Sequence, residues 1–181
     1  MSGGVLRRRR HAPVNLISLG VIRRIVISPL IVNNFIDSSA FDPKYEPETA
    51  AANEIHRLSD AGRFLLQIAH SSQKEIEHPN TPSWVKDRAA GLNYTLDVNL
   101  TEPERAVLSD IRRLLAGNGK VENIIQDAQH VFEAQKYGHY FITTDNRILS
   151  RAVVLKDRCT VIILRPSEFL KVAQEFMAAE K

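Results

Sequence analysis

After about residue 30 the chain alternates short apolar runs with stretches of helical period. Residues 30–36 (LIVNNFI) read as a strand, with Pro29 before it and Asp37 closing it. Residues 47–62 predict a helix, with Ile55, Leu58 and Ala61 spaced for one face and Gly62 as its stop. FLLQIAH (64–70) is a short apolar run expected as a buried strand; 72–78 reads as a short helix halted by PNTP (79–82), and 83–92 as another helix. Thr101 and Glu104 have capping-box spacing and open a helix through Leu115, with an inward stripe of Val107, Leu108, Ile111, Leu114 and Leu115. A helix over 121–137 ends at Gly138. A strand over 139–144, a helix over 146–153, a strand over 159–165 and a terminal helix from Pro166 complete the series.

Apolar strands that alternate with helices predict an α/β fold, a doubly wound (Rossmann-like) central parallel sheet flanked by helices. Such sheets bind ligands at the carboxyl ends of their strands, where Asp37 and Asp145 stand. The 181 residues suit one domain, expected over 30–181, behind an N-terminal extension over 1–29. Phe169 and Phe176 on the last helix are candidates for a homodimer face.

Charge changes the picture at one end. Six of the 24 basic residues are arginines within residues 1–24, which contain no acid, leaving 18 basic against 21 acidic residues beyond them. The net +3 thus hides a mildly acidic domain behind a basic head. That head reads either as a disordered extension or as an arm that attracts phosphate. Arg23 and Arg24 interrupt the apolar stretch and argue against a secretory signal, while an arginine-rich, acid-free head also matches an organelle transit peptide. The single cysteine, Cys159, excludes an internal disulfide and a cysteine-rich zinc site and fits a reducing, cytoplasmic setting. No run approaches the ~20 apolar residues of a membrane span.

Four acids carry the candidate chemistry: Asp37, Glu75, Asp127 and Asp145. Asp127 shares the inward stripe of its helix with Ile124, Ala128, Val131 and Ala134. A buried carboxylate needs a partner or goes neutral. Each acid also has an ordinary reading. Asp127 could pair with an arginine or sit solvated in a first turn. Asp145 could cap the helix from Asn146, Asp37 could begin a turn, and Glu75 could close a capping box opened by Ser72. Gathered in one pocket, they would repel by roughly 4 kcal/mol per pair at 4 Å and an effective dielectric of 20. A divalent cation resolves this, and hard oxygen donors select Mg²⁺ or Mn²⁺. Such an ion activates water against a phosphodiester.

Other constellations fail. The six histidines lack zinc-like spacing among themselves, and His130, three residues after Asp127, reads more readily as a solvated helix residue. Neither a phosphate-binding Gly-rich loop nor a G-x-S-x-G elbow is present. Trp84, Tyr137 and Tyr140 could stack on bases but read more readily as packing residues.

Four segments together resemble the PIN-domain ribonucleases: IDSSA (36–40), SSQKEIEH (71–78), DAQHVFEAQKYGHYFITTD (127–145) and VIILRPSEFL (161–170). The resemblance covers about residues 30–170. It implies a PIN-like doubly wound domain that cleaves single-stranded RNA by metal-activated water. Asp37, Glu75, Asp127 and Asp145 become ligands of one or two Mg²⁺ or Mn²⁺ ions, with Glu77 competing for the place of Glu75. Thr143 becomes an orienting hydroxyl, and Ser38 another near Asp37. Many members of that family are toxins held by an antitoxin protein, and many dimerise; the length of this chain fits a toxin less well than a nuclease. Two alternatives stay open, a non-catalytic RNA- or partner-binding module of the same fold and another Mg²⁺-dependent phosphoesterase. Ser38 and Ser39 after Asp37 lack the D-x-D of haloacid-type phosphatases.

Overall fold

The computed structural model describes residues 27–96 and 99–180. The basic head over 1–24 lies outside the described residues. Five parallel strands form one sheet in the order β3-β2-β1-β4-β5. They are β1 (Asn33–Ile36), β2 (Leu65–Ile68), β3 (Asn93–Tyr94), β4 (Tyr140–Ile142) and β5 (Ile162–Leu164). The chain steps outward from β1 to β3, then crosses back to place β4 on the other side of β1. The strand order therefore reverses between β1 and β4, where an open α/β sheet leaves a crevice at its carboxyl edge.

Nine helices cover the sheet among the described residues. Strand alternation divides them. Phe35, Phe141 and Ile163 point to one face, against α5 (Glu102–Ala116), α6 (Ile125–Tyr137), α7 (Asn146–Leu149) and α8 (Ala152–Cys159). Ile36, Leu66, Ile68, Tyr140 and Ile142 point to the other, against α1 (Ser38–Phe41), α2 (Glu48–Asp60), α3 (Gln73–Ile76), α4 (Ser83–Ala90) and α9 (Pro166–Ala179). The expected doubly wound α/β fold is the fold observed.

Local chemistry sets the ends. Glu104 accepts from Thr101 N at 2.8 Å, so the expected capping box forms. Glu48, buried on α2, accepts from Ser167 N and Oγ at 2.9 and 2.8 Å and ties down the start of α9. Buried Asn34 donates to Pro29 O and Leu65 O, both at 2.9 Å, which fixes the entry to β1. At Gly138 the chain passes so close to β1 that a Cβ would stand 2.5 Å from Asn33 O, so only glycine fits there.

Several boundaries differ from the sequence pattern. The strand expected over 159–165 spans Ile162–Leu164, because α8 continues through Cys159 and stops only where Thr160 turns left-handed at φ 63°. The helix expected over 146–153 is two pieces, α7 and the start of α8. The strand expected from residue 30 begins at Asn33. Phe169 is wholly buried in the core and unavailable to a dimer face. Tyr140 is likewise a core residue, whereas Trp84 is 44% exposed. No helix among the described residues is long and apolar enough to cross a membrane.

Candidate metal centre

The parallel register of β1 and β4 pairs Ile36 with Ile142, so the next residues, Asp37 and Thr143, come side by side at the carboxyl edge. Asp37 is 5% exposed. Its Oδ2 accepts from Ser39 Oγ at 2.6 Å and from Thr143 Oγ1 at 2.8 Å. Ser39 Oγ also accepts from Thr144 N at 3.1 Å, and Thr143 Oγ1 from Asp145 N at 3.1 Å. These hydroxyls stitch the start of α1 to the loop after β4. Both hold the same Asp37 oxygen, and Oδ1 is left facing His130.

His130 is three residues beyond Asp127 on α6 and 2% exposed. Its Nδ1 stands 3.6 Å from Asp37 Oδ1, an ion-pair separation too long for a hydrogen bond. Its Nε2 is buried without a hydrogen-bond partner. Burial alone would lower its pKa, but the Asp37 carboxylate, with Glu75 beyond it, raises it. Burial would raise Asp37 in turn; His130, Ser39 and Thr143 outweigh that and hold it below the usual carboxylate value.

Glu75 reaches the same pocket from α3. Ser38 Oγ donates to its Oε2 at 2.6 Å. One ligand atom from each of Asp37, Glu75 and His130 lies within 4.8 Å of the other two. The segment carrying Glu75 is fixed from below by Glu133 of α6, 6% exposed. Glu133 accepts from His70 N at 2.6 Å and Ser71 N at 3.2 Å, and also from Thr95 Oγ1. Glu133 thus joins the helix that carries His130 to the turn that carries Glu75.

Asp127 and Asp145 meet a different partner. Asp145 caps α7 by accepting from Arg147 N at 2.7 Å, and the Arg147 guanidinium folds back onto it with Nη2 2.7 Å from Oδ2. The same Nη2 lies 3.2 Å from Asp127 Oδ2. That contact is close but poorly aligned, because Asp127 Oδ2 is buried and has no hydrogen-bond donor. Burial raises the Asp127 pKa, with Arg147 opposing and Asp145 reinforcing. Asp145 goes the other way: burial would raise it, and Arg147 brings it below the usual value. Asp37 pushes both upward, so the three aspartates share one electrostatic field.

All four expected acids therefore converge on the crevice between β1 and β4, in two sets. Asp37 and Glu75 join His130; Asp127 and Asp145 share Arg147. Thr143 contacts Asp37 as expected. Ser38 does not; it serves Glu75, and Ser39 takes the place beside Asp37. The alternative reading of Glu75, a capping box opened by Ser72, does not hold, since Ser72 makes no side-chain cap and Glu75 turns to Ser38. Glu77 is exposed and accepts from Gln73 at 2.6 Å, so Glu75 is the acid of this pocket. His130 is not a solvated helix residue. Its i+3 spacing from Asp127 was the available signal, because two residues three apart share a helix face. Arg147, two residues past the strand-end aspartate, carried no metal-like signature.

No protein-family model matches this chain, and no curated protein matches it.

Proposed function

We propose that this protein is a metal-dependent endoribonuclease that hydrolyses phosphodiester bonds in single-stranded RNA. The observation that carries the reading is the convergence of Asp37, Glu75 and His130, with ligand atoms within 4.8 Å of one another, at the reversal point of the sheet. The donor set fits a divalent ion. Two carboxylates suit Mg²⁺ or Mn²⁺, and the imidazole tilts the choice toward Mn²⁺. The unpartnered Nε2 of buried His130 is further polar capacity that the protein itself leaves unused.

Asp37, Glu75 and His130 would hold the ion. When bound, it supplies a water of lowered pKa and offsets charge on the scissile phosphate. The remaining work belongs to side chains. Thr143 and Ser39 fix the Asp37 carboxylate through one oxygen, and Ser38 fixes Glu75. The hydrophobic packing of β1 and α6 behind Asp37 keeps bulk water from the rear of the site. The choice of RNA rests on the resemblance of residues 36–40, 71–78, 127–145 and 161–170 to PIN-domain ribonucleases.

One observation favours a second reading, a non-catalytic RNA-binding module. Arg147 clasps Asp145 and stands 3.2 Å from Asp127, so half of the acid cluster already has a cation beside it. Incubating the protein with labelled single-stranded RNA and DNA of matched sequence, with Mn²⁺, with Mg²⁺ and with chelator, separates the two. Cleavage of RNA that requires the ion and vanishes with chelator is the expected result. Retention of RNA without cleavage under every condition would favour the binding module.

A further inference from the structure

Among the described residues, Arg147 pairs with two acids where every other paired lysine or arginine has one. Its backbone N donates to Asp145 Oδ1 at 2.7 Å, its Nε lies 3.1 Å from Oδ2, and its Nη2 lies 2.7 Å from the same oxygen. Both carboxylate oxygens of Asp145 are thereby occupied from within the chain. Nη2 also stands 3.2 Å from Asp127 Oδ2, an ion-pair contact without a hydrogen bond, so one guanidinium faces two acids supplied by different elements. A bridging cation between two carboxylates is the electrostatic role a second ion plays in a two-ion phosphodiester site. Asp37 and Glu75, by contrast, pair with no lysine or arginine among the described residues, and they are grouped with His130 as candidate ligands while Asp127 and Asp145 are not.

We propose that Arg147 is a built-in second cation, so that the centre takes a single divalent ion at Asp37, Glu75 and His130. The inference rests on the metal-dependent reading above and settles how many ions that reading needs. Charge is consistent with it. Four carboxylates carry four negative charges, and one divalent ion with one guanidinium cancels three, leaving the site open to a single further cation at most. A second divalent ion would have to strip Arg147 from Asp145 and leave a guanidinium beside two metals. The pair is also preassembled. Asp145 and Arg147 sit at the N-cap and second residue of α7, so the turn that caps the helix brings them together. The Arg147 side chain is 63% exposed, so its free edge is reachable from solvent by a substrate phosphate, for which a guanidinium fork is suited.

The test counts ions on the full chain by calorimetric titration with Mn²⁺, checked by the paramagnetic resonance signal of free Mn²⁺. The wild-type protein should bind one ion per chain at saturation. Arg147→Gln, which keeps the backbone N–H that caps α7, should bind two, because Asp127 and Asp145 lose their internal cation. Adding Asp145→Asn to that variant should return the count to one. Two ions on the wild-type chain would overturn this inference and leave the metal-dependent reading standing. One ion on Arg147→Gln would overturn it as well. No ion on the wild-type chain would overturn both. Arg147→Met is a second variant for the same count should the glutamine form fold poorly.

Discussion

Asp37 directly follows β1 and Asp145 stands three residues beyond the neighbouring strand β4, and their surroundings are opposite. Asp37 is sealed behind β1, receives two hydroxyl donors on one oxygen, and faces a buried histidine across 3.6 Å with the other. Asp145 lies nearer solvent and is clasped by an arginine two residues along the chain. The first half of the cluster holds donors without a permanent cation, and the second half supplies its own. Two aspartates at the same edge of one sheet do not make equivalent carboxylates. What separates them is whether the chain brings a cation with a long side chain within reach.

That contrast breaks most visibly in paired substitutions. Asp37→Asn removes a charge that nothing else replaces, and Mn²⁺ affinity should fall by at least ~100-fold, with RNA cleavage falling alongside. Asp145→Asn keeps the cap on α7 and removes a charge already neutralised by Arg147, so affinity should stay within about threefold of the wild type. Titration calorimetry on both variants checks this. Equal losses would erase the distinction between the halves.

Glu133 links the helix that carries His130 to the turn that carries Glu75. Glu133→Ala would strip Ser71 N of its acceptor and leave His70 N with Thr95 Oγ1 alone, at a cost of about 2 kcal/mol. Urea unfolding should show that loss, and Mn²⁺ affinity should fall with it because Glu75 is released. A loss of stability without any change in affinity would mean Glu133 supports the fold but not the site.

A pH effect outside both halves must be separated from any effect within them. His56 on α2 is buried beside Phe41, on the face of the sheet opposite α6, and burial, with Arg88 adding to it, pushes its pKa down to about 4. The unfolded chain takes up a proton near pH 6.5, and the folded chain refuses it until about pH 4. Stability therefore falls as pH drops through that window and levels off below it, by up to about 3 kcal/mol. His56→Leu should remove this share of the decline, as measured by unfolding at pH 7, 5.5 and 4. An unchanged slope would contradict it.

The smallest effect is expected at Ser39, whose hydroxyl ties Asp37 to the loop after β4. Ser39→Ala leaves Thr144 N without its acceptor and Asp37 with one donor fewer, costing about 1 kcal/mol in thermal unfolding. No change would place the hydroxyl outside the network that holds the crevice together.

Much of the fold was legible because short apolar runs bounded by turn residues leave a parallel sheet few alternatives. The two-residue strand β3 was not, since Asn93 and Tyr94 are too few to show a period. Nor was the end of α8, where Cys159 and the β-branched residues after it suit a strand in composition but a helix packed on α5 keeps Cys159. Asp37, Asp127 and Asp145 stood out in the sequence because strand ends and an inward helix face are unusual places for a carboxylate, whereas Glu75 entered through the resemblance of 71–78. His130 and Arg147 did not stand out. A histidine becomes buried only when β1 and α6 close over it, and an arginine becomes a bridge only when an aspartate from another element arrives. Spacing put His130 on the same helix face as Asp127, but the burial of one and the reach of the other follow from long-range packing. The short path from Asp145 to Arg147 was visible in the sequence, but nothing local indicated that it would extend to Asp127.

The most direct measurement is anomalous diffraction from a crystal of the full chain grown with Mn²⁺. A single strong peak bounded by the Asp37 and Glu75 carboxylates and the His130 ring, with Arg147 still on Asp145, is the predicted result. A peak between Asp127 and Asp145 with none at His130 would contradict it.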